Sequence, residues 1–124
     1  RTNKEDYIMT EYIKSENKVG KQNNILRVGI NYNISNIMRI KPGDYLRWII
    51  TKEKQIILKK VPSEEKDITL PDIINTVVKV SKHHNRITIP ETIRLAANIN
   101  HGDKLIWKIA RENIYGDTLE VMKK

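Results

Sequence analysis

Cationic side chains are the groups in this 124-residue chain with the numbers and spacing to do chemistry: 23 lysines and arginines stand against 15 aspartates and glutamates, a formal charge of +8. A surplus of that size suits a polyanion, because each phosphate neutralised by Lys or Arg releases condensed counterions. The surplus is uneven. Residues 1–62 hold 13 basic against 6 acidic side chains, whereas residues 63–124 hold 10 against 9. Within the first half, Lys14, Lys18, Lys21 and Arg27 form a basic arm opposed only by Glu16. Read functionally, the arm tracks phosphates without reading bases; read structurally, it is a solvated loop. Asn23 and Asn24 carry amides able to address adenine, although asparagine is also common in loops for conformational reasons.

His83, His84 and His101 raise the question of metal. Neighbouring histidines in a strand point to opposite sides, and no cysteine or close acidic pair completes a tetrahedral set, so neither a metal nor any other cofactor is expected. In a turn, His83 and His84 can instead touch phosphate. Catalysis finds no support: there is no Ser-His-Asp arrangement, no phosphate-cradling glycine loop and no H-E-x-x-H, so the chain is not expected to be an enzyme.

The absence of cysteine rules out disulfides and thiolate ligands. No apolar run approaches the roughly 18 residues that would cross a bilayer, and RTNKEDYIMTEY has no signal-peptide core, so a cytoplasmic protein is expected. There is no phenylalanine, while isoleucine alone supplies 21 residues. Such β-branched bulk favours strands over helices. The wealth of Ile, Lys and Asn is what an AT-rich genome produces, and points to an archaeal or viral source.

The elements that must position the cations occur twice. Gly43-Asp44 falls on Gly102-Asp103 at a spacing of 59 residues, and at that spacing Arg27 meets Arg86, Ile30 meets Ile89 and Ile34 meets Ile93. Ile40 then meets Ile99, Leu46 meets Leu105, and Trp48, one of two tryptophans in the chain, meets the other, Trp107. Agreement at so many spaced positions marks an internal duplication. The tryptophans could stack on bases, but their retention in both copies points to the core.

Within the second copy, Val78–Ser81 and Ile87–Ile89 alternate as strands do; Pro90 and Glu91 open a helix of about two turns, and Asn98 stops it. His101–Asp103 turns into a strand Lys104–Ile109, and a turn over 111–117 returns the chain as strand Thr118–Met122. The first copy repeats this with strands near Tyr12–Lys14 and over Leu26–Ile30, helix Ile34–Met38, and strands Tyr45–Thr51 and Gln55–Lys59. It departs in three places. Asn31 replaces the helix-opening Pro90, Arg39 replaces Asn98 where a left-handed residue is wanted, and SENKVGKQNN (15–24) reads as a longer polar loop. The expected organisation is an N-terminal extension (1–11), a first repeat (12–62), a linker (63–76) and a second repeat (77–124). The fold class is mainly β, with two tandem β-β-α-β-β repeats closing one small barrel, since neither repeat has enough strands to bury a core alone.

The stretch Val80-Ser81-Lys82…Arg86-Ile87-Thr88-Ile89-Pro90-Glu91…Ile93-Arg94…Ile99-Asn100-His101-Gly102-Asp103-Lys104-Leu105 resembles the AbrB/SpoVT (MazE-like) swapped-hairpin family. The first repeat resembles it in skeleton only. The resemblance implies a barrel of two interleaved units that binds DNA, and carries DNA contact onto Lys79, Lys82, Arg86 and Arg94. In the first repeat Arg27 is the direct counterpart; Ser35 stands where Arg94 does. The chain departs from the family pattern where His83-His84-Asn85 replaces a glycine turn and Ala97-Asn98 replaces a Leu-Gly pair.

The expectation is therefore a double-stranded DNA-binding protein, a transcriptional regulator acting through basic loops and a short helix, as an intrachain pseudo-dimer or a homodimer, with no membrane partner. The alternatives are an antitoxin that neutralises a toxin, or an architectural DNA-binding protein without sequence preference.

Overall fold

The computed structural model describes residues 14–62, 73–83, 85–113 and 116–124. The expected extension (1–11), residues 63–72 of the expected linker, and His84 lie outside them. In chain order the elements are β1 (Lys14–Lys18), β2 (Gly20–Gln22), β3 (Ile25–Gly29), α1 (Tyr32–Met38), β4 (Tyr45–Ile50), β5 (Ile56–Val61), β6 (Ile74–Lys79), β7 (Arg86–Thr88), α2 (Glu91–Ala97), β8 (Lys104–Asn113) and β9 (Gly116–Lys123). The fold is mainly β, and every strand pairing is antiparallel. None of the described helices is long and apolar enough to cross a membrane.

The repeats exchange strands. A six-stranded sheet runs β1-β8-β9-β5-β4-β6, so the first strand of each repeat pairs with the strand that follows the helix of the other, β1 with β8 and β6 with β4. A second sheet, β2-β3-β7, joins the repeats again through β3 and β7. The same pair of backbone bonds ties each crossing: Val19 N–H donates to the Asp103 carbonyl and Gly102 N–H to that of Val19, while Val80 N–H donates to the Asp44 carbonyl and Gly43 N–H to that of Val80. One aliphatic core lies between the sheets, with Val28 and Ile87 from one and Trp48, Leu58, Trp107 and Leu119 from the other all buried.

The closed barrel expected from the sequence is not formed. The strands divide into two separate sheets, because β2 and β7 are three residues long and their ladders end before reaching the larger sheet. β6 starts at Ile74, within the last residues of the expected linker 63–76. SENKVGKQNN is not a loop. Its first half is edge strand β1, whose charged residues protect an edge that would otherwise recruit other strands. Its second half is β2, joined to β3 by Asn23 and Asn24 at φ 52° and 66°, the two-residue hairpin turn that asparagine tolerates. Polarity hid these strands, although Val19, fully buried, anchors them.

Both helix departures are accommodated. Asn31 opens α1 more firmly than Pro90 opens α2, its Oδ1 accepting from the N–H groups of Asn33 (2.9 Å) and Ile34 (3.4 Å). Arg39 adopts the left-handed conformation at φ 57°, ψ 41°, as Asn98 does at φ 55°, ψ 48°. A lysine secures each stop: Lys60 Nζ donates to the Arg39 carbonyl (2.6 Å) and Lys123 Nζ to that of Asn98 (2.7 Å). The same two ammoniums pair with Asp44 (3.2 Å) and Asp103 (3.3 Å) in the glycine turns.

Candidate nucleic-acid interface

Alternation along β3 and β7 decides where the arginines go. Leu26, Val28 and Ile87 are buried in the core, so Arg27, Gly29, Arg86 and Thr88 fall on the outer face of the small sheet. Arg27 sits directly opposite Thr88, and Arg86 opposite Gly29. The two arginines are thus diagonal neighbours across the strand pair that joins the repeats. On the other side of β3, Arg27 faces Gly20 of β2.

Two glycines beside two arginines leave a hollow. Among the described residues its lining is Lys18, Gly20, Lys21, Gln22, Arg27, Gly29 and Arg86, four cations with no carboxylate. Arg86 Nε is buried and has no hydrogen-bond partner among the described residues. A buried donor left unpaired costs about 1–3 kcal/mol, and like charges gathered in a concave surface raise a strongly positive local potential. The hollow is therefore arranged to receive an anion that supplies both counter-charge and acceptors.

Glu16, the carboxylate that the sequence sets against the basic arm, does not neutralise it. Its oxygens are taken by Lys124 (3.0 Å) and Lys104 (3.7 Å) of the other repeat. The hydrogen bond from Lys124 is the main reason its carboxyl is held below the ordinary glutamate value; desolvation opposes it, and the positive charges of Lys124 and Lys104 add to the lowering.

Lys21 also borders a second depression, lined by Asn24, Leu26, Arg94, Asn100 and His101. The two depressions share Lys21, in the β2–β3 hairpin. Arg94 approaches Glu91 at only 3.9 Å, and that glutamate's side chain is 79% exposed. An exposed pair of this kind holds the guanidinium weakly. Asn100 is fixed by its backbone N–H, which donates to Asp103 Oδ2 at 2.7 Å. That bond is the leading cause of the lowered Asp103 carboxyl, with Lys123 assisting and desolvation opposing.

The structure thus brings together Lys18, Lys21, Arg27, Arg86 and Arg94 of the residues singled out in the sequence. Lys14 enters β1, and its side chain lies outside the described part. Lys79 and Lys82 line neither depression: Lys79 ends β6 with its Nζ 5.7 Å from the centre of the Tyr45 ring, and Lys82 is exposed in the turn before β7. Gly20, Gly29, Gln22, Asn100 and a non-metal role for His101 were not legible beforehand. The signal for the glycines was a glycine within each strand, which weakens a strand unless something must come close. Trp48 and Trp107 are fully buried and take no part; their Nε1 groups donate to the Thr88 carbonyl (3.1 Å) and to Asn17 Oδ1 (2.8 Å).

No protein-family model matches the chain, and no solved structure matches it. A stretch of 57 residues, 46% of the chain, is 35% identical to a segment of Germline survival defective-1 from Caenorhabditis elegans. That segment is 5% of the relative's length, so the chain spans about one-twentieth of the protein it matches.

Proposed function

We propose that this chain is a double-stranded DNA-binding protein of the AbrB/SpoVT (MazE-like) swapped-hairpin kind, acting as a transcriptional regulator through the outer face of its small sheet. The observation that carries the reading is the hollow of Lys18, Lys21, Arg27 and Arg86, which among the described residues holds four cations and no carboxylate and in which the buried Arg86 Nε has no partner among those residues. Phosphate satisfies such a site, since its oxygens accept charge-assisted bonds from several donors at once. The exchange of β1 and β6 between repeats supports the family assignment, and the second depression, which shares Lys21 and is lined by Asn24 and Arg94, supports base contact, because asparagine and arginine are the side chains matched to adenine and guanine edges.

Fluorescence anisotropy with duplexes of selected and scrambled sequence, over a range of salt, tests this. The reading requires binding that weakens linearly in log–log salt, with a preference for the selected sequence. Equal affinity for all duplexes at every salt would leave an architectural protein, and affinity for none would end the proposal.

A further inference from the structure

Each arginine of the small sheet faces a glycine across a ladder, Arg27 opposite Gly20 of β2 and Arg86 opposite Gly29 of β3. No side chain therefore stands at either of those positions, where a cross-strand neighbour would ordinarily cover the guanidinium stem. Arg27 and Arg86 are half-buried, and Lys18 and Lys21 are exposed beside them. The space left between these groups is about 250 Å³, less than the roughly 300–1,000 Å³ of pockets that take organic ligands. It suits a small anion.

Charge then selects among phosphates. A backbone diester brings one negative charge, and both of its bridging oxygens lead on to sugars. A terminal phosphate carries about −1.5 to −2 at pH 7, and two linked phosphoryl groups carry more. Among the described residues the four cations of the hollow have no carboxylate to share, and the buried Arg86 Nε has no acceptor. Diagonal cross-strand neighbours such as Arg27 and Arg86 stand about 7–8 Å apart, so each guanidinium can fork onto a different phosphoryl group. We propose that the hollow binds a compact oligophosphate, either inorganic or the phosphate chain of a nucleoside triphosphate, gripped by Arg27 and Arg86 with Lys18 and Lys21 adding charge, and that its occupancy displaces the duplex. The displacement rests on the DNA-binding reading above; the anion site does not.

The test is titration of the full chain with sodium pyrophosphate, free of divalent metal and at constant ionic strength, with sulfate and orthophosphate as references. One pyrophosphate per chain is expected, bound at least about tenfold more tightly than orthophosphate, with a shift of the Arg86 Nε–H resonance. Arg86→Met and Gly20→Thr, the second without any change of charge, should each weaken it about tenfold or more. Lys52→Gln, in the exposed turn after β4, should not. In an anisotropy assay pyrophosphate should release a bound duplex where sulfate of equal ionic strength does not. Equal affinity for tripolyphosphate and adenosine triphosphate assigns the inorganic chain, tighter binding of the second assigns the nucleotide, and either supports the site. Affinity no greater than for orthophosphate, an equal loss in Lys52→Gln, or a duplex undisturbed by saturating pyrophosphate overturns the inference while leaving DNA binding standing. Pyrophosphate held by a chain that binds no duplex removes the DNA-binding reading and leaves the anion site.

Discussion

Val28 and Ile87, 59 residues apart in sequence, lie directly opposite each other across β3 and β7, each 1% exposed. They are also equivalent positions of the two repeats, so the approximate two-fold relation of the molecule passes between them. Truncation there removes buried volume shared by both repeats. Ile87→Ala is expected to cost about 2–5 kcal/mol. Tryptophan fluorescence checks it, with Trp48→Phe and Trp107→Phe backgrounds reporting each repeat separately. Coincident urea transitions, shifted equally by Ile87→Ala, are the expected result.

Arg39 occupies a left-handed conformation at φ 57° that side chains with a Cβ enter at a cost. Its carbonyl accepts from Lys60 whatever its own side chain is. Arg39→Gly is therefore expected to stabilise the protein by about 0.5–1 kcal/mol, measured as a higher denaturation midpoint with an unchanged denaturant slope. The matching change at Asn98, to Ala, should destabilise by about 1 kcal/mol, because asparagine tolerates that conformation better than alanine does.

These helix stops show what a sequence conveys and what it withholds. The aliphatic core was legible, since Ile34, Ile93, Leu46, Leu105 and both tryptophans recur at fixed spacing, and recurrence survives whatever surrounds it. The second repeat's strands and helix could be read because Pro90, Asn98 and Gly102 punctuate them. The first repeat's opening strands could not, because β1 lies at a sheet edge where polar side chains are favoured, and the buried Val19 is a lone apolar residue between polar ones. For the site, the arginines of β3 and β7 were legible as a repeated pair. Their convergence with Lys18 and Lys21 depends on a hairpin whose turn, Asn23-Asn24, has the same composition as an ordinary polar loop. Separation of the strands into two sheets had no local signal, because sheet closure depends on how far short ladders extend in space.

Glu16 makes the acid side of the stability profile specific. Its carboxyl is lowered below 4.5 in the folded protein, chiefly by the Lys124 hydrogen bond. A depressed folded pKa contributes stability that is present above the unfolded value and is lost as pH falls through the folded one. Unfolding followed from pH 6 downward should show that loss beginning below about pH 5. Glu16→Gln should remove part of the slope, and Asp103→Asn a further part, since that carboxyl is lowered below 3.8 by the Asn100 N–H and Lys123. A pH profile unchanged by both substitutions would contradict the assignment.

Arg86 separates stability from binding. Its Nε is buried without a partner among the described residues and lines the hollow with three other cations, so replacing it by Met is expected to remove an unpaired donor and a repulsive charge from the free protein. Arg86→Met is expected to leave the unfolding free energy unchanged or raise it by about 1 kcal/mol, while duplex affinity falls at least about fivefold and the log–log salt slope shrinks by about one. Destabilisation with unchanged binding would mean that the guanidinium serves the fold alone.

Gly20 gives the most stringent view of the hollow, because it contributes shape and no charge. A Cβ built on it meets only the Arg27 carbonyl, at 3.8 Å, an ordinary contact. The backbone therefore does not require glycine here, and a β-branched residue would suit β2 better. Gly20 does, however, face Arg27 across the ladder and lines the hollow beside Lys18 and Lys21. Gly20→Thr is expected to leave stability within about 0.5 kcal/mol of the parent or improve it, yet to weaken duplex binding by about tenfold as the methyl and hydroxyl occupy the space a phosphate needs. Thermal unfolding and anisotropy on the same preparation check both halves. Full affinity in a well-folded Gly20→Thr protein would show that nothing enters between β2 and β3, and the duplex would then have to contact the arginines from above the sheet.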